Sequence, residues 1–268
     1  MRITWRYQDN QTYWQKRWVS IPADAPMQNE NAYPLKYALL CVHDLSESIL
    51  EAGCGNGRVL RYFKERGYAI TGMDFIEEAV QKLKQADPEL NVETGDITAL
   101  RWQDETFNSI LAFGLYHNLR DEALEQAMRE TTRVLKHGGK LCASFRADNA
   151  ANRINDWHTN YRSRNSLSCG DAAPSIKEFH KLNLTEKEFC ALLHRHGLKI
   201  QQFYYVENMS FLYKFQMFRY AEHRQFDESK GRREGYLLSG LGRGLQNILM
   251  RLLPSSFCNI YVVIACKT

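Results

Sequence analysis

The chain has 268 residues, 44% of them hydrophobic and 25% charged, with a net charge of +4. These proportions suit one large α/β domain able to bury a substantial core, and so mild a charge gives no ground for a nucleic-acid partner. Seven cysteines, an odd number without a C-x-x-C pair, point to reduced thiols in a cytosolic protein and away from a zinc site, so no metal is expected. The N-terminus lacks the apolar stretch of a signal peptide, and no apolar run approaches the roughly 20 residues that span a bilayer.

In chain order, residues 1–32 mix Trp5, Tyr7, Tyr13, Trp14 and Trp18 with charges and show no strand-like core pattern. They read as a helix-containing arm lying over the domain. Leu35, Ala38, Leu39 and Val42 then recur at helical spacing, giving a helix over 33–45 and an arm-plus-helix unit at 1–45. Ile49-Leu50 leads into Glu51 and into glycines at 53, 55 and 57, and an amphipathic stretch runs from Arg58 to Arg66. This is a strand, a tight glycine turn and a helix whose free N–H groups favour negative charge. The third glycine comes one residue earlier than in the dinucleotide fingerprint G-x-G-x-x-G. The pattern E-x-G-x-G-x-G at 51–57 resembles instead the first motif of class I S-adenosylmethionine-dependent methyltransferases.

Residues 69–74 form a second strand ending in Asp74, 19 residues after Gly55, the distance at which an acid reaches the ribose hydroxyls of a bound nucleoside. Asp74 also suits the N-cap of a helix over 76–86. Residues 90–96 form a third strand. Thr94-Gly-Asp-Ile97 resembles the family segment that holds adenine. The resemblance implies that Asp96 accepts from the exocyclic amine, that the Ile97 N–H donates to a ring nitrogen, and that Phe75 lies on the ring face. It also implies a cofactor role for Glu51, Gly53, Gly55 and Phe113. The competing roles are a strand-end turn for Asp96 and a core aromatic for Phe75.

Phe107 to Gly114 is a continuous apolar strand of the kind buried in parallel sheets, and Tyr116-His117 follows at its carboxyl end, where ligands of such sheets bind. In the family this loop meets both cofactor and substrate. Tyr116 and His117 are therefore expected to face the substrate, with His117 as a candidate proton acceptor. A helix over 121–134, the double glycine 138–139 and a fifth strand over 140–145 closely resemble the corresponding family segment. Residues 147–184 read as an insertion beside the site, offering Trp157, His158 and Tyr161 as substrate contacts, or as a loosely ordered loop. Thr185 with Glu188 three residues later forms a capping box for a helix that ends at Gly197. Residues 199–206 are a sixth strand and 257–266 the last.

Between those last two strands, residues 209–254 carry eight Lys/Arg against four acids. Within them 237–253 sets Leu238, Leu241, Leu245, Ile248, Leu249 and Leu252 along one stripe. The default expectation is a helix packed on the domain, and the alternative is contact with a membrane surface or lipid substrate. Strands alternating with helices call for a Rossmann-like, mostly parallel sheet covered on both faces. The family resemblance adds seven strands in the order 3-2-1-4-5-7-6, the last antiparallel, in a single methyltransferase domain. It implies transfer of a methyl group from S-adenosylmethionine to a hydroxyl or amine of a small-molecule or lipid-linked acceptor, leaving S-adenosylhomocysteine. The rivals are a nicotinamide-dependent oxidoreductase and a non-catalytic cofactor-binding protein on the same scaffold. A cytoplasmic protein, peripheral to a membrane if the basic segment touches one, is expected. The sequence does not set an oligomeric state.

Overall fold

The computed structural model describes residues 1–21, 26–166, 177–225 and 235–268. Its sheet is built from β2 (Ser48–Ala52), β3 (Ala69–Asp74), β4 (Val92–Thr94), β5 (Phe107–Ala112), β6 (Leu135–Arg146), β8 (Leu198–Val206) and β9 (Ile260–Lys267). The strand order is β4-β3-β2-β5-β6-β9-β8. Counting only these seven strands in chain order, this is the expected 3-2-1-4-5-7-6, with β9 antiparallel to both neighbours.

Alternation along the strands sends successive side chains into two cores, because strand residues point to opposite faces in turn. Leu50, Ile110 and Val263 pack on one side with Leu124, Ala127 and Met128 of α5 (Asp121–Val134) and Phe189 and Leu192 of α7 (Glu186–Arg195). Ile49, Leu111 and Val262 pack on the other with Leu35 and Ala38 of α2 (Leu35–Cys41), Leu60 and Phe63 of α3 (Arg58–Glu65), and Leu83 of α4 (Glu77–Ala86). With both faces covered, the loops at the carboxyl ends of β2, β3 and β5 are left free to build a site.

Two expectations are corrected here. The arm does contain a strand, β1 (Arg2–Arg6), which pairs antiparallel with β7 (Glu178–Asn183) in a separate two-stranded sheet. The 147–184 segment is largely regular: α6 (Ala150–Ser166) precedes β7, and residues 167–176 lie outside the described residues. The β1–β7 ribbon packs across the turn at 116–118, with α1 (Asn10–Ser20) beside it. An Arg2–Asp148, Arg2–Asp156 and Arg146–Asp156 network fastens the ribbon to β6 and α6, at 2.6–2.7 Å.

α8 (Gly240–Leu252) departs from the default for an amphipathic helix. Its buried side is narrow, made by Gly242 and Gln246. Leu241, Leu245, Ile248 and Leu252, at i, i+4, i+7 and i+11, are 69%, 37%, 56% and 70% exposed. No helix among the described residues is long and apolar enough to cross a membrane.

Candidate active site

Three glycines with positive φ, Gly53, Gly55 and Gly57 at 72°, 54° and 71°, fold the chain tightly between β2 and α3. The Gly55 N–H donates to Asp74 Oδ2 at 2.8 Å, and the Ile76 N–H donates to Oδ1 at 2.9 Å. Asp74 therefore clasps the glycine turn and the Phe75–Ile76 turn that leads into α4; the N-cap of that helix is Ile76, which makes no side-chain cap bond, so the expected N-cap role of Asp74 is corrected. Burial pushes its carboxyl up from the ordinary value, and the backbone donors pull it back only in part.

Glu51 stands one strand over and is buried. Burial raises its carboxyl to about 8, against the lowering effects of the Leu60 N–H and Arg58. Its Oε2 is buried without a hydrogen-bond partner. A buried carboxylate oxygen with nothing to accept from is costly, and a ligand donor or positive charge would relieve it.

Phe75 is 53% exposed, so it is no core aromatic. Asp96 Oδ1 accepts from the N–H and the hydroxyl of Thr98, both at 2.8 Å, which is the turn role. It remains exposed two residues beyond β4, whose last residue, Thr94, pairs with Asp74 at the end of β3. Ile97 is buried in the core. Phe113 meets Tyr33 edge to face at 5.7 Å.

The arm packs on the glycine turn. Trp18 lies on the glycine turn so closely that a Cβ on Gly55 would come within 2.7 Å of its ring. Trp14 stacks on Trp18 at 5.5 Å, and Lys82 of α4 donates to the carbonyls of Trp18, Val19 and Ile21, pinning the end of α1.

Below the arm, the loop after β5 is held by groups that the sequence reading did not single out. The Gly114 N–H donates to Ser144 Oγ at 2.8 Å, and Ser144 shares a 3.0 Å hydrogen bond with the Tyr33 hydroxyl. Asn118 donates to the Gly114 and Leu115 carbonyls, while Asn10 donates to the carbonyls of Asn118 and His180, tying arm, loop and ribbon together. A serine inside the apolar strand at 140–145 was the one local clue.

His117 is buried beside this loop, with its Cε1 edge 3.8 Å from where a Gly114 Cβ would lie. Its Nδ1 has no partner. Burial, then the fields of Lys181, Arg146 and His180, hold its pKa well below the ordinary value, so the ring is neutral at pH 7. Tyr116 does not share this position. It is 1% exposed, and its hydroxyl bonds Thr131 Oγ1 at 2.8 Å. In the tight 116–118 turn the two side chains take different surroundings: Tyr116 enters the core, and the His117 ring, itself buried, meets Phe145 edge to face at 6.2 Å. Trp157 is an exposed residue of α6, His158 lies against Phe215, and the side chain of Tyr161 falls outside the described residues.

The carboxyl ends of β2, β3 and β5 thus bring together a glycine turn, a carboxylate lacking a partner, an acid at ribose distance in the chain and an exposed aromatic. This donor set fits a nucleoside bearing positive charge. No cluster of three or more His, Cys, Asp or Glu suited to a metal occurs among the described residues.

Residues 49–139 match the family model described as a methyltransferase domain. The chain is 24% identical over 195 residues to a probable S-adenosylmethionine-dependent methyltransferase of Mycolicibacterium smegmatis, covering 68% of each chain. It is 35% identical over 95 residues to the malonyl-[acyl-carrier protein] O-methyltransferase of Salmonella typhimurium, covering 34% of this chain and 36% of that enzyme. Among solved structures, a Mesorhizobium loti S-adenosylmethionine-dependent methyltransferase superposes with a TM-score of 0.56 at 15% identity, over 89% of this chain and 99% of the other.

Proposed function

The chain belongs to the class I S-adenosylmethionine-dependent methyltransferases, and from that premise we propose that it methylates a hydroxyl or amine of a small-molecule or lipid-linked acceptor. The observation that supports the reading is the meeting of two loops at the carboxyl ends of adjacent strands: the glycine turn after β2, clasped by Asp74, and the loop after β5, whose Leu115 lies 3.2 Å from where a Gly53 Cβ would be.

S-Adenosylmethionine, when bound, supplies an electrophilic sulfonium methyl group. The glycine turn, Glu51 and Asp74 would hold its positively charged and ribose portions, with Phe75, Asp96 and Ile97 toward the base and Phe113 beside them. Trp18 and the pinned end of α1 exclude water from the turn. Positioning two reactants can by itself supply about 7–11 kcal/mol in favourable systems, so the chain's first task is to align the acceptor. His117, neutral and with an unpartnered Nδ1, is the group able to accept a proton from a hydroxyl as it attacks.

The lipid-linked form of the acceptor draws support from α8. Its exposed leucine–isoleucine stripe is accompanied by Arg243 and Arg251, and the helix carries no acid. Such a helix suits the interface of an anionic bilayer, whereas a second copy would oppose the same basic face.

A radiolabelled-methyl screen across free and lipid-linked hydroxyls and amines tests the activity. Cosedimentation with phosphatidylglycerol vesicles, but not phosphatidylcholine vesicles, and its loss in Ile248→Glu, test the membrane contact. A chain that binds cofactor yet labels no acceptor in any class would support the non-catalytic reading.

A further inference from the structure

We propose that the Tyr33 hydroxyl, braced by Ser144, donates a hydrogen bond to the α-carboxylate of bound S-adenosylmethionine, which makes Tyr33 a cofactor-binding residue. The proposal rests on the methyltransferase reading of the same crevice and deepens it.

The Tyr33 hydroxyl and Ser144 Oγ lie 3.0 Å apart, and the Gly114 N–H donates to Ser144 Oγ at 2.8 Å. The pair holds two O–H groups. One of them fills the hydrogen bond between the two oxygens, whichever residue donates. The other has no acceptor among the described residues. Ser144 is wholly buried, and an idle O–H there would be a costly buried donor. Tyr33 is partly open. The less costly arrangement has Ser144 donating to the Tyr33 oxygen, which leaves the Tyr33 O–H for a ligand. Burial pushes the phenol up to about 12, so it keeps this proton through the neutral range.

The pleat of the sheet places the donor. Cys142 packs in the core under α2 and α3, and alternation gives Ser144 the same face. Ile49 packs in that core too, so Glu51 shares the face, and Tyr33 and Phe113 pack against the same core. Register aligns the three strands, with Glu51 paired to Leu111 and Leu111 to Cys142. The Tyr33 ring meets Phe113, at the end of the middle strand, edge to face at 5.7 Å. His117 instead meets Phe145, which belongs to the opposite core. Tyr33 therefore stands with Glu51 and the glycine turn, the cofactor's half of the crevice.

Glu51 has the complementary lack, since its Oε2 is buried without a donor. β2 and β6 flank β5, so the two groups belong to strands about 10 Å apart, twice the spacing of neighbours. An α-amino acid carries an ammonium and a carboxylate on one carbon. It supplies the donor that Glu51 lacks and the acceptor that Tyr33 lacks. The methionine portion of the cofactor is such a group, and an O–H donating to its carboxylate is a charge-assisted bond.

Calorimetric titration of the full chain compares S-adenosylmethionine with decarboxylated S-adenosylmethionine, which keeps the ammonium and the sulfonium and lacks the carboxylate. The wild type should bind the form with the carboxylate more tightly. Tyr33→Phe keeps the ring against Phe113 and should weaken S-adenosylmethionine by about tenfold, the scale of a hydrogen bond to a charged group, with the decarboxylated form bound as in the wild type. A wild type that does not distinguish the two ligands would overturn the proposal without any variant. So would a Tyr33→Phe protein that binds S-adenosylmethionine as the wild type does, or that weakens for both ligands alike, which marks a hydroxyl that only braces the Gly114 loop. A wild type that binds neither ligand would instead count against the methyltransferase reading itself.

Discussion

Glutamine at position 51 has the shape of Glu51 without its charge, and the buried setting makes that difference measurable. The carboxyl titrates near 8 in the folded protein against an ordinary value of 4.5. The native state thus keeps a proton that the unfolded chain has released, and stability falls as pH rises between those two values. The slope is about 1.4 kcal/mol per pH unit, so the full shift amounts to about 3–5 kcal/mol by pH 8. Below about pH 4.5 the penalty is absent. Urea unfolding of wild type and Glu51→Gln at pH 5, 6.5 and 8 should show the variant gaining progressively on the wild type as pH rises. Cofactor binding should move the other way: the unpartnered Oε2, once ionised, is the natural partner of a positively charged ligand, so Glu51→Gln should bind S-adenosylmethionine more weakly. A stability gap that does not change with pH, or a wild type more stable than the variant at pH 8, would refute the reasoning.

Two further outcomes follow from the same site. Asp74→Ala should weaken cofactor binding by about 1.5–3 kcal/mol, the scale of hydrogen bonds to a charged group, as read by calorimetry with S-adenosylhomocysteine. A folded variant that binds like the wild type would leave Asp74 as a clasp for the Gly55 and Ile76 turns alone. Once an acceptor is known, His117→Ala should lower turnover by about 10²–10⁴-fold with cofactor affinity nearly intact. Because the ring is held neutral well below its ordinary range, the wild-type rate should show no loss of base between pH 7 and 6. A small rate loss with an unchanged pH profile would make His117 structural.

Local signals were the readable ones. The capping box of Thr185 and Glu188 is present as spelled, and the strand Ala69–Asp74 and helix Asp121–Val134 keep their expected limits. The glycine turn and its acid were legible because their spacing is set by a strand–turn–helix unit within one stretch of chain. β1 and β7 were not, since the pairing joins Arg2 to Asn183 and neither strand has an apolar face long enough to announce it. α6 is polar around most of its circumference, so no stripe marked it as a helix. On α8 the apolar stripe was visible, but which side meets the domain depends on what packs there. Gly242 and Gln246 take that side, with a Cβ on Gly242 only 2.7 Å from the Phe218 carbonyl oxygen.

The central claim is that the crevice at the ends of β2, β3 and β5 takes S-adenosylmethionine rather than a nicotinamide dinucleotide. Calorimetric titration of the full chain with S-adenosylhomocysteine, beside an identical titration with NAD, tests it directly. Saturable binding of S-adenosylhomocysteine, with no heat from NAD, is the predicted result. Saturable NAD binding with no response to S-adenosylhomocysteine would contradict it.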